Sequence, residues 1–179
     1  MAIVLKNQTS QQPVGAGPTA DAVISQWIHI ARPALALPQT TTQQIFRVYN
    51  GRILVKLLLG EVTTVIEGTD PILKVSVSSL TNASALQGTA YDIASTLDLS
   101  SDEVGTLYAV EGDGTALISG NQVSGSIEAF GMGFVMKQGQ IYLTTGASKT
   151  GAIKWDLWYQ PLDPGAYATA IVAATAAIT

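Results

Sequence analysis

The feature that most constrains the fold is a strict two-residue alternation near the C-terminal end of the chain. Within residues 153–160, IKWDLWYQ, one side of an extended backbone would carry Ile153, Trp155, Leu157 and Tyr159. Successive side chains alternate between two faces in a β-strand, so the pattern predicts a half-buried strand and not a helix. The alternation also argues against a phosphate-binding loop at the preceding Gly-Ala-Ser-Lys-Thr, because such a loop needs a glycine directly before the lysine and a helix after it.

Two hairpins are predicted from turn residues that lie between apolar runs. The run QIYLTT, residues 140–145, alternates in the same way as residues 153–160, so the loop at 146–151 would join two antiparallel strands. Asn50-Gly51 separates IFRVY from RILVKLLLGEV. Asn-Gly is favoured in two-residue hairpin turns because both residues tolerate positive φ, so we expect a hairpin there as well.

The strand after Asn50-Gly51 is apolar on both of its expected faces. One face would carry Ile53, Val55, Leu57 and Leu59, and the other would carry Leu54 and Leu58 around Lys56. A strand that is apolar on both faces is covered on both sides. The second cover is either another subunit or a loop or short helix of the same chain.

Further short strands are predicted at turn-bounded intervals along the chain. They are ILKVSVSS (72–79), TAYDIASTLDL (89–99), GTLYAVEG (105–112) and EAFGMGFVMK (128–137). Many short strands with glycine-rich connections predict an all-β sandwich or barrel. The first 20 or so residues show no hydrophobic periodicity, which predicts an extended arm. The prolines at 33 and 38 interrupt the segment that follows, so at most an edge strand is expected before residue 39.

Composition points to a protein that is covered by a partner. The chain of 179 residues is long enough for one domain with its own core. Only 12% of the residues are charged, about half of the ~25% usual for soluble domains. We therefore expect a homo-oligomer or a larger protein partner. The net charge of −4 argues against nucleic acid as that partner, since binding to phosphates depends on lysine and arginine.

No catalytic, cofactor or metal site is expected from the residue types present. The chain has no cysteine, and a two-histidine metal motif cannot form because His29 is its single histidine, which we expect to bind a backbone carbonyl. The acidic run EGDGT, residues 111–115, lacks the alternating ligands of a calcium loop and is more typical of a β-turn. No secretory signal is visible, and the Ala-rich segment 168–178 is too short and too interrupted by threonine to span a membrane.

Three stretches resemble a family of tailed-bacteriophage virion proteins that decorate the capsid. They are QTTTQQIFRVYNGRILVKLLLGEVTTVIEG (39–68), VGTLYAVEG (104–112) and TGASKTGAIKWDLWYQPLDPGAYATA (145–170). The similarity in pattern spans roughly residues 39–173 and consists of strand and turn residues, so no catalytic residue carries over. The resemblance implies a jelly-roll-like β-sandwich over 39–173, an N-terminal arm or extension over 1–38 and a C-terminal tail over 174–179.

The resemblance also implies a function for the chain. Such a protein is a structural, non-enzymatic part of the virion, often a trimer, that binds the major capsid protein on the outer capsid surface after synthesis in the host cytoplasm. The main alternative is a tail or head-fibre component that binds a receptor or carbohydrate. A more distant alternative is a sandwich enzyme, for which only Tyr91-Asp92 or residues 155–159 could begin an aromatic and carboxylate cluster.

Four residues are candidates for contact with neighbouring subunits or with the capsid. Trp27 lies in the predicted arm, and Trp158 lies on the otherwise polar face of the last alternating strand. Leu54 and Leu58 lie on the second apolar face of the strand that follows Asn50-Gly51. Aromatic residues concentrate binding energy at protein interfaces, which makes the two tryptophans the stronger pair.

Overall fold

A computed structural model of the chain describes residues 27–38, 42–67, 72–79, 91–99, 102–110, 118–119, 133–146 and 150–172. These residues form β-strands joined by turns, and none of them is helical. In chain order the strands are β1 Ile28–Ala36, β2 Thr42–Tyr49, β3 Ile53–Thr64, β4 Ile72–Ser79, β5 Tyr91–Asp98, β6 Leu107–Val110, β7 Ile118–Ser119, β8 Phe134–Met136, β9 Gly139–Thr145, β10 Ala152–Pro161 and β11 Tyr167–Ala170.

The strands form two antiparallel sheets. Sheet A has the order β1-β10-β3-β6-β7. Strand β8 lies beside β6 on the same edge of β3, where β8 pairs with residues 53–55 and β6 pairs with residues 58–61. Sheet B has the order β11-β2-β9-β4-β5. Buried apolar side chains from both sheets form one core between them. The predicted all-β sandwich is confirmed.

Strand β10 supplies the centre of the core from sheet A. The four alternating apolar residues predicted to share a face are all buried: Ile153, Trp155, Leu157 and Tyr159. Trp155 is the largest of them, with 0% of its surface exposed. Its ring lies over Gly60 of β3, where an added Cβ would stand 2.9 Å from two ring carbons. Glycine at position 60 therefore makes room for the indole in the core.

Strand β3 changes its inward face at a β-bulge. Its pairing with β10 skips Lys56, because Tyr159 pairs with Val55 whereas Trp158 pairs with Leu57. An extra residue in one strand reverses the alternation beyond it. Leu58 is consequently in the core with 0% exposure, and Leu57 and Leu59 face outward with Leu54. The predicted assignment of Leu58 to the outer face, and of Leu57 and Leu59 to the inner face, is wrong for this reason.

Both predicted hairpins are wrong in their pairing, although the strands on either side of each predicted turn are correct. Asn50 has φ 59° and Gly51 has φ 141°, so the turn uses the positive φ values that the Asn-Gly pair favours. However, β2 belongs to sheet B and β3 to sheet A, so the turn carries the chain across the sandwich. The segment at 146–151 likewise connects β9 of sheet B to β10 of sheet A. Residues 147–149 of that segment lie outside the described residues.

A second crossing lies directly against the Asn50-Gly51 corner. Residues 162–166 take the chain from β10 in sheet A to β11 in sheet B. The Arg52 guanidinium donates from Nη2 to Asp163 Oδ1 at 2.7 Å and from Nε to Asp163 Oδ2 at 3.0 Å. The backbone is joined too, because Arg52 N donates to Asp163 Oδ2 at 2.7 Å and Leu162 N donates to Arg52 O at 2.9 Å. The two corners are therefore linked into one unit.

Strand β1 extends the sandwich into the region predicted to be an arm. Residues 28–36 pair with β10 as an edge strand of sheet A, interrupted by a register shift between Arg32 and Leu35. The sandwich therefore begins before residue 39, and the predicted boundary at 38 is too late. Arg32 is buried and donates from Nε to the Ile171 carbonyl at 2.8 Å, and burial lowers its pKa to about 10. Residues 1–26 and 173–179 lie outside the described residues.

We predict that Trp155→Ala lowers the free energy of unfolding by roughly 3–5 kcal/mol, the usual cost of removing a large buried aromatic side chain. Trp158→Ala in the same strand is the matched control, because Trp158 faces away from the core. Urea denaturation of both variants checks the difference. Equal stability of the two variants would contradict the assigned register of β10.

We also predict that the Arg52–Asp163 contact stabilises the fold in a pH-dependent manner. Hydrogen bonds from the Arg52 side chain and backbone hold the pKa of Asp163 at about 2, below the ~3.9 of an unfolded aspartate. A carboxyl group with a depressed folded pKa stabilises the fold above its unfolded pKa, and this stabilisation is lost as the pH falls through the folded value. Asp163→Asn should therefore be less stable than wild type at neutral pH, with a gap in urea midpoint that closes towards pH ~2. A gap independent of pH would contradict the role of the ionised carboxylate.

Candidate binding surfaces

The outer face of sheet A carries an apolar strip. The strip consists of Leu54, Leu57 and Leu59 of β3, Val135 of β8 and Trp158 of β10. Val135 is the cross-strand partner of Leu54 and Trp158 is that of Leu57, and the exposed Lys56 at the bulge lies between these two pairs along β3. Val135 is 59% exposed, while the leucines and Trp158 are half-buried. Strands lie about 4.8 Å apart, so the strip crosses β8, β3 and β10 as one surface.

Trp158 is held in place by its neighbours on β1 and β10. His29 stacks on the Trp158 ring with centroids 4.4 Å apart and an interplanar angle of 16°. The same imidazole contacts Asp156 through Nε2 and Oδ1 at 2.7 Å. The expectation of a backbone carbonyl partner for His29 is therefore wrong, since a carboxylate takes that place. The stack orients the indole on the outer face before any partner binds.

A charged pair borders the strip towards the C-terminal end of β3 and the N-terminal end of β10. Lys154 Nζ lies 2.6 Å from Glu61 Oε2, and these two residues are cross-strand partners on the outer face. The hydrogen bond to Glu61 raises the pKa of Lys154. An apolar centre with a polar border is the arrangement found in protein–protein interfaces.

The four candidates from the sequence are therefore divided between different environments. Leu54 and Trp158 belong to the apolar strip, and Leu58 belongs to the core. Trp27 directly precedes β1 and is 48% exposed. Sequence reasoning missed Leu57, Leu59 and Val135, because nothing in the residue pattern marks the bulge that turns the first two outward or the pairing that brings β8 to β3.

The outer face of sheet B is different in character, with aromatic and polar side chains. Tyr49 of β2 and Tyr167 of β11 stack with ring centroids 5.0 Å apart and an interplanar angle of 15°. The Arg47 guanidinium carbon lies 4.9 Å from the centre of the Tyr49 ring. Next to them, the Tyr142 hydroxyl donates to Gln140 Oε1 at 2.7 Å. Burial raises the pKa of Tyr142.

The acidic residues of the described chain mostly serve structural contacts. Asp102 accepts a 2.5 Å hydrogen bond from the buried Tyr108 hydroxyl. The pKa of Tyr108 is raised mainly by burial and additionally by this hydrogen bond. Glu67 and Glu103 line an open hollow together with two valines. No group of three or more potential metal ligands occurs among the residues that the structure describes, and the run EGDGT at 111–115 lies outside them.

The two starting points for an enzyme cluster have other roles in the sandwich. Asp92 accepts from Ser76 Oγ at 2.7 Å and pairs with Lys74 at 2.9 Å. Its neighbour Tyr91 is exposed on the edge strand β5. Within residues 155–159, Trp155 and Tyr159 are core residues, and Asp156 and Trp158 join His29 on the outer face of sheet A.

Among the described residues there is no helix long and apolar enough to cross a membrane.

Comparisons with known proteins give no family for this chain. No family model matches it, and no curated protein matches it. A solved structure of infectious bursal disease virus strain Gx is similar over 79% of this chain, with 9% sequence identity and a TM-score of 0.26. The similarity covers 33% of the viral chain, so this chain spans about a third of its length. A TM-score this low carries no argument about fold or function.

Proposed function

We propose that the protein is a structural component of a tailed-phage virion that binds the outer surface of the capsid through the apolar strip of sheet A. The observation that carries the proposal is the strip itself, which places three leucines, a valine and a stacked tryptophan on the side of the sheet away from the core. Apolar side chains gain free energy when an interface removes them from water. A sandwich that buries a full core and still presents such a row is suited to a protein partner.

The sequence resemblance to capsid decoration proteins supports the identity of that partner. The three resembling stretches form β2 and β3, β6, and β10 and β11, together with the two linked corners. Two of the strands that carry the strip, β3 and β10, therefore belong to the resembling region. The partner we propose is the major capsid protein, and the location is the capsid surface.

The composition supports assembly as the principal role. Only 12% of the residues are charged, so few charged side chains interact with water at the surface. The apolar strip of sheet A further reduces the polar part of that surface. Contact with copies of the same chain or with the capsid would account for both the low fraction of charged residues and the apolar strip. We propose a homotrimer as the assembled form, a structural and not an enzymatic role, and no association with nucleic acid or membrane.

We predict that Trp158→Ala weakens binding to undecorated capsids by about 30-fold, because an interface hot spot contributes ~2 kcal/mol or more. The matched control is Tyr91→Ala, which removes an exposed aromatic ring from sheet B. Co-sedimentation of purified protein with capsids measures the affinity, and circular dichroism verifies that both variants fold. Wild-type affinity in folded Trp158→Ala would remove the apolar strip as the capsid-binding surface.

We predict further that the isolated protein is a trimer at micromolar concentration, since a surface with only 12% charged residues favours self-association. Multi-angle light scattering gives the mass directly. A mass of 18.7 kDa, that of a single chain, would contradict the homo-oligomer.

A second candidate function is that of a tail or head-fibre component that binds a receptor or carbohydrate. The observation that favours it is the pair of stacked tyrosines with an arginine on the outer face of sheet B. A mass-spectrometric inventory of purified virions separates the two roles. A copy number comparable to that of the major capsid protein supports decoration, and a few copies per particle supports a tail or fibre component.

A further inference from the structure

We infer that protonation of His29 strengthens partner binding at the outer face of sheet A, so that attachment to the capsid is stronger at mildly acidic pH. The inference rests on the proposed function of this face. Its basis is the contact of His29 Nε2 with Asp156 Oδ1 at 2.7 Å, together with the stack of the imidazole on the Trp158 ring. Histidine is the side chain whose charge changes between about pH 5 and 8.

Asp156 lies where a partner on the apolar strip would cover it. It is the cross-strand partner of Leu59, and it precedes Trp158 by two positions on the same face of β10. Both of these neighbours belong to the strip. The side chain of Asp156 is 19% exposed and that of His29 is 46% exposed. A partner that buries Leu59 and Trp158 therefore also removes water from the carboxylate and from part of the imidazole.

Removal of that water makes the charge on His29 important. Burying a carboxylate is costly unless a cation pairs with it. A neutral imidazole offers Asp156 a hydrogen bond without a charge. In the protonated imidazole both ring nitrogens carry a hydrogen, so Nε2 donates to Asp156 Oδ1 and brings a positive charge to the carboxylate. Burial of the imidazole acts in the opposite direction, and we expect the carboxylate to dominate because it lies only 2.7 Å away.

The stack on Trp158 responds to protonation in the same direction. The two rings lie 4.4 Å apart at their centroids, with an interplanar angle of 16°. A cation over the face of an indole is attracted by the negative potential of that face. A more firmly held Trp158 loses less side-chain freedom when a partner binds. Both effects of protonating His29 therefore favour tighter binding at lower pH.

Other charges near His29 do not titrate in this pH range. Strand β1 contacts β10 and β11, and β3 is the next strand of sheet A. Besides His29, the charged side chains of these four strands are Arg32, Lys56, Glu61, Lys154 and Asp156. Lysine, arginine and carboxylate side chains keep their charge between about pH 5.5 and 8. Since the chain contains a single histidine, His29 is the group on this face whose charge changes.

Co-sedimentation of the full chain with undecorated capsids at pH 8 and at pH 5.5 tests the inference. We expect a dissociation constant that is lower at pH 5.5 by about tenfold, because a charged hydrogen bond replaces a neutral one. His29→Phe is the matched control, since phenylalanine keeps an aromatic ring beside Trp158 and cannot take up a proton. Titrating groups of the capsid affect both chains alike, so the ratio of the two constants is compared between wild type and His29→Phe. Circular dichroism at both pH values verifies that each chain is folded.

A second variant tests the role of the carboxylate. Asp156→Asn should lose the gain in affinity at pH 5.5, because the protonated imidazole then has no negative charge to pair with. Binding at both pH values with the same ratio in wild type and His29→Phe would refute the inference and leave the capsid-binding face in place. A wild-type ratio in Asp156→Asn would refute it as well. Absence of wild-type binding at either pH would refute the proposed function, and the inference with it.

Discussion

The contact between Arg52 and Asp163 joins the two corners on which the rest of the sandwich depends. One corner carries the chain from β2 to β3, and the other carries it from β10 to β11. Because β2 pairs with β11 and β3 pairs with β10, the two crossings act as a two-stranded ribbon that leaves sheet B and enters sheet A. The ion pair and the backbone hydrogen bonds between the corners fix the relation of one sheet to the other at this end.

Two local features determine what the outside of sheet A looks like. The close packing of Trp155 on Gly60 commits β10 to one inward face, so Trp158 must face outward. The bulge at Lys56 turns Leu57 and Leu59 to the same side as Trp158. The apolar strip is thus a consequence of the register between β3 and β10. A β3 without the bulge would continue the alternation set by Ile53 and Val55 and would point Leu57 and Leu59 into the core.

The sequence predicts the strands of this protein better than it predicts their partners. Alternation in residues 153–160 correctly identifies the buried side of β10, because that pattern depends only on the period of a single strand. Asn50-Gly51 correctly marks a turn, because the positive φ values are a local requirement. The same turn residues serve a hairpin and a crossing between sheets equally well, so the pairing could not be predicted. That choice depends on contacts between distant residues such as Arg52 and Asp163.

The residues of the candidate surfaces also divide into those that a local pattern predicts and those that depend on strand pairing. Trp158 and Leu54 are found from alternation alone, whereas Leu58 is misplaced because a bulge leaves no mark in the pattern of apolar residues. The stack of Tyr49 on Tyr167 joins residues more than a hundred positions apart in the chain. It requires the pairing of β2 with β11, which no local signal announces. Where a site is built across strands, the sequence supplies the residue types and the topology brings them together.

The proposed function requires the outer face of sheet A to bind the capsid. Electron cryomicroscopy of purified virions, at a resolution that separates β-strands, tests this most directly. We expect three sandwich densities at each binding position on the outer capsid surface, with β3 and β10 against the major capsid protein and the Tyr49–Tyr167 stack facing outward. A sandwich that contacts the capsid through sheet B, or a capsid surface that lacks this protein, would contradict it.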